Sequence, residues 1–240
     1  MNFRDIHIYS HSAVDTRAML YKIKKTFPKC RVHIDQPLRY DDRIEYARIY
    51  DLKNPFEKQS VSATMTDKES MPLYDGFVLQ RIFAEMISEK ESSGSHVHIM
   101  LTDLLTCTFS EADWRYHGRA VICGTPSIIS ITGIVEAPAK PREFYLAQLH
   151  GMSDIARLKK ELAGRFVDYG DPRITQAAVV YALQALFFFV TEGEPFCDNN
   201  ECLLYNAHWQ EELLRIIIND AFCANHKKMV NKFNNRIVSP

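Results

Sequence analysis

Four side chains near the C-terminal end constrain this chain more than any other feature. Cys197, Cys202, Cys223 and His226 form two close pairs, Cys-x4-Cys and Cys-x2-His, joined by a spacer long enough for a helix. Thiolates and neutral imidazole favour zinc, and two such pairs can close onto the corners of one tetrahedral ion. The segment in front of them is nearly as restrictive. Asp171 as N-cap and Pro172 at the first helical position open a helix predicted from Arg173 to about Val190. Ile174, Ala178, Tyr181, Ala185 and Phe188 or Phe189 fall on successive turns with almost no polar side. Such a helix must be buried on most faces.

The rest of the composition is that of an ordinary folded protein. With 240 residues, 46% of them hydrophobic and 25% charged, the chain can bury a substantial core. Its 29 basic and 30 acidic residues nearly cancel, which argues against nucleic acid or an anionic membrane as partner. The longest apolar run, 177–190, is interrupted by Gln184 and too short to cross a bilayer, and the first residues lack the layout of a signal peptide. A cytoplasmic location is the expectation. In a reducing compartment clustered cysteines read as metal ligands, whereas Cys30, Cys107 and Cys123, each without a nearby second ligand, read as small buried hydrophobes.

Pattern and punctuation predict one α/β domain over 1–240, with a sheet part in 1–170 and a helical, zinc-bound part in 171–240. Asp5–Tyr9 alternates as a strand, Ser12 and Asp15 open a helix that Pro28 stops, and 30–34 gives a second strand. Strand, helix, strand implies a parallel crossover. Residues 36–70 read as a loop-rich excursion with one short strand at 43–50. Helical spacing of Phe77, Ile82, Phe83, Met86 and Ile87 predicts a helix over 73–90. His96–Thr102 is a strand that puts His96 and His98 on one half-exposed face. After Asp103 a loop is expected, with Trp114 anchoring the solvated stretch up to His117. Residues 120–123 and 127–135 are two more β runs. Residues 143–166 read as helical with a break at 151–153, where Ser153 caps a second segment. Asn206 is expected to cap the last long helix, with Glu211 and Glu212 near its first turn.

With four protein ligands the Cys197, Cys202, Cys223 and His226 site is closed. No position remains for water or substrate, so a single zinc ion there is structural. It ties the loop after the buried helix to the C-terminal helix, and its binding contributes to folding.

At these residues the chain resembles the archaemetzincins, zinc peptidases of the metzincin group, whose motif runs HExxHxxGxxHC, then x4-C-x-M and, after about seventeen residues, C-x2-C. Cys197, Cys202, Cys223 and His226 match the four structural-zinc positions, with His226 replacing the last cysteine, and Leu204 falls at the Met-turn. Residues 100–103 and 118–123 are similar to the family's Thr-Asp strand and the edge strand after it, so the likeness covers roughly 97–229. A mainly archaeal family named for the same likeness is similar too. The resemblance implies a metzincin-like mixed sheet flanked by helices, a structural zinc and a cleft beside the edge strand. It also implies a catalytic zinc, and here the sequence departs from the family. Where HExxH belongs, the helix reads Tyr181-Ala182-Leu183-Gln184-Ala185, and the third histidine position is Phe196. With the ligands and the general base missing, no agent remains to activate water.

The leading expectation is therefore a noncatalytic relative that binds peptide or protein in the remaining cleft by strand addition. One alternative is an active metallopeptidase or other hydrolase with ligands drawn from His96, His98, His117, His150 and His208. Another is a structural subunit whose apolar helix 173–190 supports an oligomer interface. His208 and Glu211, at i,i+3, lack the matching carboxylates of a dinuclear bundle site, and Glu192-Gly193-Glu194 reads as a turn. The sequence contains neither a Gly-rich phosphate loop nor a Gly-x-Ser-x-Gly elbow.

Overall fold

The computed structural model describes residues 3–50, 71–150 and 154–237. Strand β1 (Asp5–Tyr9) leads through helix α1 (Thr16–Thr26) to β2 (Arg31–Asp35), and the two strands pair in parallel with His7 opposite His33. The predicted crossover is present, and Asp15 caps α1 by accepting from the N–H groups of Arg17 and Ala18. The strand expected at 43–50 is mostly a 3-10 turn, Asp42–Ala47, and only β3 (Arg48–Ile49) is extended. Residues 51–70 of the expected excursion, and Ser153 with its predicted cap, lie outside the described residues.

The helix expected from Leu73 starts later. Strand β4 (Leu73–Asp75) precedes α2 (Gly76–Ala84) because the Asp75 carboxylate caps the N–H groups of Phe77 and Val78. β5 (His96–Thr102) has the predicted bounds. The stretch after Asp103 is a hairpin rather than a loop: β6 (Leu105–Ser110) pairs antiparallel with β7 (Arg115–Arg119). Trp114 turns it with a φ of 52° and packs edge-on against Phe109. Strands β8 (Val121–Ile122) and β9 (Ser127–Ser130) follow. The β run expected through 135 stops at Ser130, whose hydroxyl accepts from the Gly133 N–H at 2.7 Å and starts α3 (Ile131–Glu136). A Cβ at Gly133 would lie 2.3 Å from the Arg119 carbonyl oxygen, so tertiary contact overrides the β-branched composition.

Helices α4 (Arg142–Leu149), α5 (Ile155–Glu161), α6 (Ile174–Val190), α7 (Gln210–Asn219) and α8 (Ala224–Arg236) complete the fold. The Asp171 carboxylate accepts from the Arg173 N–H and guanidinium, just ahead of the first turn of α6. Asn206 does not cap α7. Glu212 does, reaching back to the N–H groups of His208 and Trp209. Asp220, at φ 43°, then separates α7 from α8.

Two sheets result among the described residues, ordered β2-β1-β5-β9-β8 and β3-β4-β6-β7. In the first, β2, β1, β5 and β9 are parallel and β8 is an antiparallel edge strand. One face, with Ile6, Ile8, Ile99 and Leu101, packs on α1 and α6 through Ile23, Ala178 and Leu183. The other meets α2 where Met100 and Ile128 touch Leu79 and Phe83. This is the mixed sheet flanked by helices that the sequence suggests. Residues 177–187 of α6 are all buried, so its apolar surface is used inside its own core rather than held for an oligomer interface. Among the described residues no helix is long and apolar enough to cross a membrane.

Candidate metal centre and cleft

α6 ends at Val190, and Gly193, at φ 117°, lets the chain double back. The following loop is pinned by three hydrogen bonds: Cys197 N–H to Leu204 O at 2.9 Å, Leu203 N–H to Ala221 O at 2.9 Å, and the Gln184 amide of α6 to Tyr205 O at 3.0 Å. Cys223 is the N-cap of α8 and His226 sits in its first turn. These constraints bring together the four residues that the sequence singles out. Their donor atoms all lie within 4.8 Å of one another, the only such group among the described residues.

Cys197 Sγ is 4.0 Å from Cys223 Sγ, and His226 Nδ1 is 3.6 Å from Cys202 Sγ and 3.1 Å from Cys223 Sγ. With Zn–S of about 2.3 Å and Zn–N of about 2.0–2.1 Å, the edges of a tetrahedral site are roughly 3.5–3.8 Å. The donor set therefore fits one such ion after small adjustments. The N–H groups of Asn199 and Cys223 point at the sulfurs of Cys197 and Cys202, each at 3.4 Å, as suits thiolate acceptors. Burial pushes the Cys202 thiol up to about 12 and also raises Cys197. At Cys223 burial acts the same way, but hydrogen bonds with the His226 N–H, the thiols of Cys202 and Cys197 and the Asn225 N–H together outweigh it and the thiol is lowered. Burial lowers His226 and so favours the neutral form that a metal requires. Its ring stands edge-on to Phe187 of α6 at 5.6 Å, and Leu204 is buried in the same core.

Beside the edge strand lies a cleft of about 400 Å3. Residues 118–123 of β7 and β8 line one side, Tyr181 and Phe188 of α6 another, and Pro195, Phe196 and Ala207 complete it. Just after the lining residue Cys123, Gly124 has a φ of 144°, and a Cβ there would meet the Gln80 amide at 2.5 Å; that amide holds Pro126 O at 2.7 Å. Of the positions matched to lost ligands, Tyr181 and Phe196 meet at the cleft, whereas Ala182 and Ala185 are sealed in the core. Counting back from Cys197 by the motif's own spacing falls on Gly193 for the glycine, and on Leu186, Phe187 and Val190 for the ligands and base. Leu186 and Phe187 are fully buried, and Val190 faces a different hollow beside Met229 and Phe233. The choice of register does not alter the chemistry, because residues 174–190 contain no His, Cys, Asp or Glu.

The remaining histidines do not converge on the cleft. His96 and His98 share a sheet face as expected, and the strand register adds His7 and His33 to it. His7 stacks between His33 and His98, 4.6 Å from each, and its nitrogens meet Asp35 at 3.1 Å and His96 at 3.0 Å. Asp5 binds Arg31 through both oxygens and His33 at 2.9 Å, and the Arg31 guanidinium holds its carboxyl well below the usual range. His117 pairs with Asp113, His150 ends α4, and Glu211 pairs with Arg165 rather than approaching His208. His208 alone of the nine histidines lines the cleft among the described residues. Burial pushes the thiols of Cys30, Cys107 and Cys123 up to about 12, 11 and 12, in keeping with small hydrophobes.

Sequence reasoning missed Arg119, which also lines the cleft. Its Nε donates to Thr108 Oγ1 at 2.8 Å, and its other guanidinium N–H groups have no partner among the described residues. Only the β6–β7 pairing, not foreseen where a loop is expected up to His117, places it there.

No curated protein and no solved structure matches the chain. Over residues 2–233, nearly its whole length, the sequence matches the profile described as a probable metallopeptidase family (DUF6775), and the chain belongs to that family.

Proposed function

We propose that this protein holds one structural zinc ion at Cys197, Cys202, Cys223 and His226, and that it binds a peptide or protein segment in the cleft beside β8 without hydrolysing it. The reading is metzincin-like. It is supported by a long helix packed under a mixed sheet whose last strand, β8, is antiparallel and pairs only with β9 among the described residues. An open strand edge beside a cleft suits strand addition. The observation that carries the noncatalytic part is the composition of α6. It presents Tyr181 and Phe188 to the cleft and contains no His, Cys, Asp or Glu to hold a catalytic zinc or to act as a carboxylate base.

The zinc supplies a cross-link between the loop after α6 and the start of α8. Cys197 and Cys202 hold it from the loop, Cys223 and His226 from the helix, and Phe187 packs against the imidazole. Elemental analysis of the purified chain tests the reading, with one zinc per chain expected. A second equivalent of metal, or chelator-sensitive cleavage of a peptide library followed by mass spectrometry, overturns it in favour of an active peptidase.

A further inference from the structure

We infer that the cleft takes the C-terminal end of a peptide, an apolar tail whose terminal carboxylate pairs with Arg119. This rests on the peptide-binding reading above and adds the chemistry of the ligand. The walls are largely apolar, with Phe77, Val121, Ile122, Phe188 and Phe196 among them, and none of the described residues that line the cleft is a carboxylate. Arg119 brings the one permanent charge.

That charge is placed rather than free to swing. Arg119 is paired across the hairpin with Thr106, whose hydroxyl donates to the Arg119 carbonyl at 2.8 Å, while Thr108 accepts from Nε. Both Nη groups are left to face a carboxylate, for which the planar guanidinium offers two parallel donors. Between apolar walls the pairing is stronger than at an open surface.

Size selects a chain end over a through-running segment. A cleft of about 400 Å3 lies at the low end of the roughly 300–1,000 Å3 typical of sites for small ligands. β8 is two residues long, so strand addition there is brief and gains from an end anchor. Arg119 ends β7 and a bend at Ala120 separates it from Val121 and Ile122 of β8, so the span across them is at most about 10 Å at roughly 3.3 Å per residue. A carboxylate at Arg119 and apolar side chains over Val121 and Ile122 therefore fit one tripeptide.

The test is a fluorescence-anisotropy titration with dansyl-tagged tripeptides ending in Leu, made as free acids and as C-terminal amides. The free acid is expected to bind at least tenfold more tightly than the amide. Arg119→Gln should bring the acid down to the amide's affinity and leave the amide unchanged, and Arg119→Lys should restore part of the difference. An amidated tripeptide with an internal Glu that binds as tightly as the free acid overturns the assignment to the chain terminus. If acid and amide bind alike and Phe196→Glu weakens both, the cleft accepts peptides but the role given to Arg119 is wrong. If neither peptide binds at about millimolar concentration, the peptide-binding reading falls with it.

Discussion

Chelating the metal from the Cys197, Cys202, Cys223 and His226 site is expected to lower the melting temperature by about 5–16 °C. At free zinc of about 100 to 1,000 times the dissociation constant, a site present only in the folded state adds about 2.7–4.1 kcal/mol. For a chain of this size each kcal/mol moves the midpoint by about 2–4 °C. The effect is bounded in this way, rather than by the larger intrinsic binding energies of small zinc modules, because the loop keeps other ties. The Cys197–Leu204 and Leu203–Ala221 backbone bonds and the Gln184 amide remain when the ion leaves.

Hydrogen exchange should accordingly show 197–204 and 221–226 losing protection first, with β1 and β5 protected in both states. The shift should also shrink in acid. The Cys202 thiol, pushed up to about 12 by burial, must release its proton to the solvent when zinc binds. Apparent affinity therefore falls about tenfold per pH unit for each such proton as pH decreases. The assay is scanning calorimetry with and without a strong chelator at pH 8 and pH 6, joined to metal analysis. Superimposed melts for a chain shown to carry zinc would refute the claim that the ion ties these elements together.

Other substitutions test the scaffold. Gly133→Ala forces a Cβ against the Arg119 carbonyl at 2.3 Å and should cost about 1–3 kcal/mol in urea unfolding, with the loss absent if the backbone yields freely. Asp5→Asn weakens the bonds to Arg31 and His33; since Arg31 is mostly exposed, a loss near the lower end of about 1.5–3 kcal/mol is expected. The folded-state value of Asp5 is depressed, so its contribution is complete above its ordinary 3.8 and fades as pH falls below it. Burial likewise lowers His98 from 6.5, so the fold favours the neutral ring and stability should decline as pH drops below that value. His98→Gln should flatten that decline between about pH 6.5 and 5, and an unchanged urea midpoint profile would remove His98 as a cause.

What could be read from the sequence is what rests on neighbours along the chain. Asp15 caps α1, and the Cys-x4-Cys and Cys-x2-His pairs are each set by one local turn, although the Leu203–Ala221 and Gln184–Tyr205 ties between distant segments bring the two pairs together. What escaped depends on contacts between distant segments. Residues 131–135 look like a strand until Ser130 caps Gly133 and Arg119 leaves no space for a side chain. The Arg115–Arg119 strand has no apolar alternation, and its turn uses Trp114 at positive φ where glycine would have signalled it. His7 and His33 join His96 and His98 only through the β2-β1-β5 register.

For the same reason the apolar pattern of α6 marks it as buried but does not fix which of its residues reach the cleft. A helix enclosed on all sides must be apolar wherever it touches the core, and Leu186 and Phe187 meet that demand. On its cleft side Tyr181 is still buried in that core, and only Phe188, half-buried, sits at the margin of the cleft. Aromatic carbon at 188 is therefore less constrained by the core than it is at 181. It is compatible with a cleft that holds apolar side chains, and Phe188→His should change ligand binding before it changes stability, whereas Tyr181→His should lower stability first.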